Sequence, residues 1–422
     1  VAARFCRYVR VDTQSDPASD TQPSTARQLD LSHVLADQLH ALGAERVELD
    51  EHGYVFATLP SPLPAEAAAQ LPALGLVAHV DTSPDAPGEG VRPHVHAAYD
   101  GSAISLPGDP TIVLDPARNP ALLEAVGHDL LTSDGTTLLG SDDKAGVAVI
   151  MQLVEDLLAD ERASAERGEA PAARPTLQIL FTPDEEIGRG VDKLDLAHFG
   201  ATVAYTLDGS GVDRLNVETF NASEAVVAIE GVGVHPGYAK GVMVNAVRLA
   251  AAFVAALPAD EAPETTDERA GYLHPHGITG TTERAEVRVL LRDFDDAGMA
   301  RRRALVEEAA AALRAAHPTA RVTVTVRETY RNMLRYIEEK DRRVIDLAVE
   351  AARAMGFEPE LEPVRGGTDG ARLSERGIPT PNVFTGGHDF HSRFEWNTVQ
   401  NLERTLAYTR TLVRTWGERG SA

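Results

Sequence analysis

This sequence predicts an α/β protein in which a smaller α+β sandwich is inserted into a larger α/β domain. Three observations carry that reading. Apolar strands alternate with amphipathic helices over most of the chain, the signature of layered α/β architecture. A chain of 422 residues is long for a single core, so two or three domains are expected. After residue 217 the pattern changes to strand, helix, strand, helix, strand across residues 218–330, enough for one open-faced sandwich.

The elements follow in order. Arg27 to Leu42 has helical apolar spacing, while "YVFATL" (54–59) and the more buried "ALGLVAHV" (73–80) have strand length. "AGVAVIMQLVEDLLAD" (145–160) repeats apolar residues every three or four positions, a strong helix signal. "ERASAERGEAPAARP" (161–175) is polar and reads as a connection with no core to bury. "TLQILF" and "ATVAYTL" (201–207) are further strands. In the insert, "SEAVVAIEGVGV" is a strand and "NAVRLAAAFVAAL" (245–257) a helix, followed by a long loop, "PADEAPETTDERAGYLHPHGITG". "RAEVRVLLRDF" (284–294), "AGMARRRALVEEAAAALRAAH" and "ARVTVTVRE" complete it as strand, helix and strand. The helix "DRRVIDLAVEAARAMG" (341–356) and the strand "TPNVFTGG" (380–387) return to the larger domain.

Composition narrows the function. A formal net charge of −24 argues against nucleic acid and anionic membranes as partners, because phosphates need a basic footprint. No apolar run approaches the roughly 18 residues of a membrane span. The opening "VAARFCRYVRVDTQ" lacks an apolar signal segment, which predicts a cytoplasmic protein. Cys6 is the only cysteine, so an internal disulfide and a cysteine metal cage are excluded. Carboxylate and imidazole are therefore the strong metal ligands this chain can offer.

Those ligands recur at the ends of apolar strands. "GLVAHVDTSPD" ends in His79 and Asp81, "QILFTPDEE" in Glu185 and Glu186, "VAYTLDG" in Asp208, and "NVFTGGHDFHSRFE" in His388, His391 and Glu395. One acid at a strand end is ordinarily a turn former or a cap, but four such ends point to a site beyond the carboxyl edge of a sheet. Asp142 and Asp143 in "LLGSDDKAG" precede a helix, where taken alone they read as caps. His79 and Asp81 are two apart and can face one side, so the carboxylate can fix the imidazole tautomer. Glu185 and Glu186 are adjacent and point differently, which suits one to metal and the other to protons. "HPHG" (274–277) and "HVHAAYD" (94–100) lie in polar stretches and carry little weight. The chain has neither a G-x-S-x-G elbow nor a phosphate-cradling loop.

Taken together, "HVDTSPD", "LLGSDDKAG", "FTPDEEIGRG", "YTLDG", "VHPGYAKGVMVNA", "RDFD", "RGGTDGA" and "NVFTGGHDFHSRFE" resemble the peptidase T branch, the tripeptide aminopeptidases, of the zinc-dependent metallopeptidase family that includes carboxypeptidase G2. Each motif alone is weak, but eight in the same order, from "VDTQS" (11–15) to the last helix, are specific. The resemblance implies a zinc-peptidase-type catalytic domain formed by residues 1–217 and 331–422, with residues 218–330 as a lid and dimerisation domain. It implies two zinc ions, replaceable by cobalt or manganese. Asp142 would bridge them; His79 and Asp208 would complete one shell, Glu186 and His391 the other. Asp81 would orient His79, Glu185 would be the general base, and the Asp142–Asp143 peptide would be cis. On the lid, His235, Asn245 and Arg292 stand at substrate-binding positions, with His235 serving the neighbouring subunit in dimeric relatives. Phe394 stands where a second histidine is common, and His388 where an aromatic is common.

The implied activity is release of the N-terminal residue of short peptides, chiefly tripeptides, by metal-bound hydroxide in a homodimer joined through the lid. Asp142, Glu186 and Asp208 against two divalent ions leave one positive charge, which a hydroxide neutralises; zinc brings the pKa of bound water towards about 7. An amidase or deacylase acting on N-acyl amino acids or dipeptides would use the same ligands. A binding protein that had lost catalysis would lack some of these residues, and all are present.

Overall fold

The computed structural model describes residues 1–421. The chain divides into two compact units. The larger comprises Val1–Val217, Arg335–Glu362 and Thr368–Ala422; the smaller comprises Glu218–Leu334 and Pro363–Gly367.

The larger unit is organised by an eight-stranded mixed sheet. At its centre Leu177–Thr182, Leu74–His79, Val203–Ser210 and Asn382–Gly387 are neighbours in that order and run parallel. Three of the four are buried at every position, which is why they read as mainly apolar runs. Parallel alignment brings their carboxyl ends to one edge, so the strand-end ligands converge there.

The helix Ser141–Arg167 lies against this sheet with residues 145–151 fully buried. Gly146 permits the approach: a Cβ there would sit 2.0 Å from the backbone oxygen of Leu207, the residue before Asp208. This helix corrects the sequence reading, because it runs through Arg167 and stops at the left-handed Gly168. Residues 161–167 are mostly good helix formers, so propensity carries the helix beyond its last core contact. A satellite core holds Tyr99, Leu106, Ile112, Leu114, Leu122 and Trp396 beneath the short strands His94–His96, Leu130–Thr132 and Trp396–Thr398.

The smaller unit is a four-stranded antiparallel sheet, ordered Tyr272–Gly280, Arg284–Asp293, Asn221–Glu230 and Arg321–Tyr330. The helices Ala246–Ala256 and Asp296–Ala316 cover one face, packing Phe253 and Val306 onto Val227, Val287 and Val289. The strand Tyr272–Gly280 replaces the end of the expected loop. It is an edge strand, with only Leu273 buried and a register shift between Pro275 and Gly277. A solvated edge needs no alternating apolar code, and Pro and Gly there imitate loop chemistry. "HPHG" is thus on a strand, as is the "HVH" of residues 94–96.

Candidate metal centre

His79 closes its strand and is 2% exposed. Its Nδ1 faces the Asp81 backbone oxygen at 3.0 Å and the Asp81 carboxylate at 3.3 Å. A proton held on Nδ1 leaves the Nε2 lone pair free to coordinate. Nε2 lies 2.9 Å from Asp142 Oδ1 and 3.7 Å from Asp208 Oδ1. The other oxygen of Asp142 is 3.2 Å from His391 Nε2, which also meets Glu186 Oε2 at 2.8 Å. His79, Asp142 and Asp208 form one group able to hold a metal, and Asp142, Glu186 and His391 form a second. Asp142 belongs to both.

The turn before the buried helix explains how Asp142 reaches both groups. Asp142 and Asp143 leave helical φ/ψ, and the peptide between them is cis. Capping, the reading of these residues in isolation, holds for Asp143, whose Oδ1 accepts the Gly146 N–H at 3.1 Å. Asp142 instead turns one oxygen to each of the two imidazoles. Glu395, 1% exposed, accepts the backbone N–H groups of Leu139, Gly140 and Asp142 at 2.7–3.0 Å and holds the turn from behind.

Glu185 and Glu186 stand on a single 3₁₀ turn between left-handed Asp184 and Gly188. Asp81 accepts the N–H of Glu185 on one oxygen at 3.0 Å and that of Glu186 on the other at 3.2 Å. One carboxylate therefore orients both an imidazole and the acidic turn.

The electrostatics call for a cation. Burial pushes Glu186 up to about 8, with Asp142 adding to the shift. Burial also raises Glu185 well above the carboxylate range, and Asp208, Asp369 and Glu186 add to it. Asp208 rises to about 6 through burial and the charge of Asp142. Burial opposes charge on the imidazoles, yet Asp142 and Glu186 lift His391 to about 11, and Asp142, Asp208 and Asp81 lift His79. Glu186 Oε1 is buried without a hydrogen-bond partner, a cost of about 1–3 kcal/mol for an unmet acceptor. The carboxylates and imidazoles gathered in the two groups suit a divalent metal.

Other sequence-selected residues fall elsewhere. His388 is outside both groups among the described residues and stacks on Trp396 at 4.1 Å. In the smaller unit, His235 Nδ1 accepts the Gly237 N–H, and Asn245 caps the helix Ala246–Ala256 by accepting the Arg248 N–H. Arg292 donates to the backbone oxygens of Ser223 and Leu291 and lies over the Tyr330 ring. The acids that follow it in sequence have other partners: Asp293 pairs with Arg302, and Asp295 caps the next helix.

Two buried charged residues escaped the sequence reading. Lys144 donates to the Val11 oxygen, and burial lowers its pKa to about 8. Asp369 accepts from Thr182 Oγ1, and burial raises it to about 7. Both sit in helix-start sequences, where a charge looks like an ordinary terminus residue.

Comparison with known proteins identifies the family. The pattern of peptidase family M20/M25/M40 matches residues 138–415. The peptidase T of Geobacillus thermodenitrificans (strain NG80-2) is 42% identical over 418 residues, covering 99% of this chain and 98% of that protein. A tripeptidase structure from Staphylococcus aureus superposes with a TM-score of 0.74 at 19% identity, over 99% of this chain and 98% of that one. The Bacillus subtilis YXEP protein, described as a dinuclear metal-binding peptidase of the M20 family, superposes with a TM-score of 0.63 at 15% identity, over 99% of each chain. The chain belongs to peptidase family M20/M25/M40, as a metallo-aminopeptidase of the peptidase T branch.

Proposed function

We propose that this enzyme releases the N-terminal residue of short peptides, chiefly tripeptides, at a centre of two zinc ions. The observation that carries the reading is the pair of ligand groups sharing Asp142. His79 and Asp208 would complete one shell, and Glu186 and His391 the other. Zinc there would polarise the scissile carbonyl and acidify water near neutral pH.

The remaining work falls to the protein. Glu185, a neighbour of the ligands whose carboxylate burial raises well above the usual range, takes a proton from the attacking water and passes it to the leaving amine nitrogen. Asp81 fixes the His79 ring and the turn bearing Glu185. His235, Asn245 and Arg292 are assigned to substrate, with Arg292 receiving the peptide carboxylate, because a guanidinium fork matches it. The smaller unit is assigned as lid and as the contact between two copies. The peptidase T name and the tripeptidase fold of the relatives support this substrate class.

Metal content and a peptide panel test the proposal together. The zinc-loaded enzyme should hold two ions per chain and cleave free-amine tripeptides faster than dipeptides or tetrapeptides. Preference for N-acetylated substrates would instead make it a deacylase. One ion per chain with full activity would remove the bridging role of Asp142.

A further inference from the structure

The N-terminal segment fastens the chain beside three parts of the proposed centre. Val11 accepts from Lys144, two residues after Asp142. Gln14 donates to the backbone oxygens of Ser83 and Ala86, and the Ser15 N–H to that of Thr82, just after Asp81. Ser24 and Gln28 then reach the residue before Glu185. Asp184 accepts the Ser24 N–H at 2.7 Å, the Ser24 hydroxyl at 2.5 Å and the Gln28 amide at 2.7 Å. Its own N–H donates to Gln28 Oε1 at 3.1 Å. Asp184 and Gln28 are both 0% exposed.

We propose that Asp184 is a positioning residue, whose carboxylate, gripped by Ser24 and Gln28, sets the turn on which Glu185 and Glu186 stand. The inference rests on the roles assigned above to those two glutamates. Asp184 adopts φ 59, a left-handed conformation that Asp tolerates better than most residues with a side chain. The three donors fix its side chain, while its backbone oxygen accepts the Arg189 N–H at 3.0 Å and closes the turn. Asp81 holds the next two N–H groups. The acidic turn is thus gripped at three consecutive residues, which limits where the Glu185 carboxylate can go.

Asp184→Asn tests the grip at constant size. With the new amide turned either way a donor then faces a donor: its Nδ2 meets the Ser24 N–H in one orientation and, in the other, the Gln28 amide, whose oxygen already receives the backbone N–H of residue 184. Changing Gln28→Glu as well supplies two acceptors and reverses the polarity of the pair. For Asp184→Asn, kcat on a tripeptide should fall by about 10- to 100-fold with KM within about twofold, the scale of a misplaced catalytic group. Hydrogen exchange in the metal-free protein should accelerate at residues 183–190 before it does elsewhere. The double variant should recover kcat to within about threefold of the parent and restore that protection. Ser24→Ala, which removes one donor and no charge, should show the same pattern more weakly and remains informative if Asp184→Asn folds poorly.

Wild-type kcat in Asp184→Asn overturns the assignment. So does a loss accompanied by faster exchange over the whole chain and not recovered by Gln28→Glu. Glu185→Gln run alongside keeps the two readings apart. If that variant stays fully active, the assignment of the base falls, whereas local exchange still reports on the grip.

Discussion

The carboxyl edge of the central sheet and the smaller unit were read from the same sequence, but they encode their residues differently. At the sheet edge, His79, Asp142, Glu186, Asp208 and His391 meet through their side chains within a few ångströms. In the smaller unit, His235, Asn245 and Arg292 bond to backbone groups of their own neighbourhood. A metal site demands particular atom types at converging positions and leaves a dense local code. A substrate contact can be made by a residue whose resting partners look structural. Cap, turn and strand chemistry therefore hide such a residue until a ligand is present.

Metal removal should produce the largest effect and break the comparison on one side only. Chelation is expected to abolish peptide cleavage, and zinc, cobalt or manganese to restore part of it, while the smaller unit keeps its hydrogen-exchange pattern. Full activity with no detectable metal would sink the mechanism. Next in size, Glu185→Gln should lower kcat by about 100- to 10,000-fold, the range for general acid–base catalysis, while metal content stays constant. Glu186→Gln should bind less metal and regain activity in excess zinc. The opposite pattern of metal retention would exchange the two roles.

Arg292→Ala carries the test into the smaller unit. A charge-assisted bond to the peptide carboxylate contributes about 1.5–3 kcal/mol, so tripeptide kcat/KM should fall by roughly tenfold or more. C-terminally amidated tripeptides should be nearly insensitive to the change. Equal losses on acid and amide would leave Arg292 as a strut for Ser223 and Leu291.

Much of the fold was legible because burial imposes a pattern. Strands buried on both faces must be largely apolar, as in Leu177–Thr182, whose polar Gln178 and Thr182 are hydrogen-bonded, and a helix packed on them must repeat every three or four residues, as in residues 145–154. What escaped was set by weaker forces. Tyr272–Gly280 is an edge strand with little apolar area, and residues 161–167 are helical without facing a core. At the site, the ligand spacing was visible, but Lys144 and Asp369 were not. Burial makes them unusual, and burial of a single charge comes from distant segments such as Val11 and Thr182.

The smallest expected effect concerns His388, at the position where the sequence departs from the family's aromatic. Burial, and then the nearby charge of Arg214, lower its pKa to about 4, whereas an unfolded histidine titrates near 6.5. Between those values the unfolded chain binds more protons, so stability is retained above about pH 6.5 and declines as pH falls towards 4. The whole shift corresponds to about 3 kcal/mol, or about 1–2 kcal/mol after allowing for the ring's partial contact with water. His388→Phe keeps a ring against Trp396 and removes the titration. Its urea midpoint should therefore fall less than the parent's between pH 7.5 and pH 5. Activity at pH 7.5 should stay within about twofold, because His388 belongs to neither ligand group. Equal losses of stability on acidification would show that the ring titrates in the folded chain as it does in the unfolded one. A collapse of activity at pH 7.5 would bring the rim into the chemistry and narrow the contrast between the two regions.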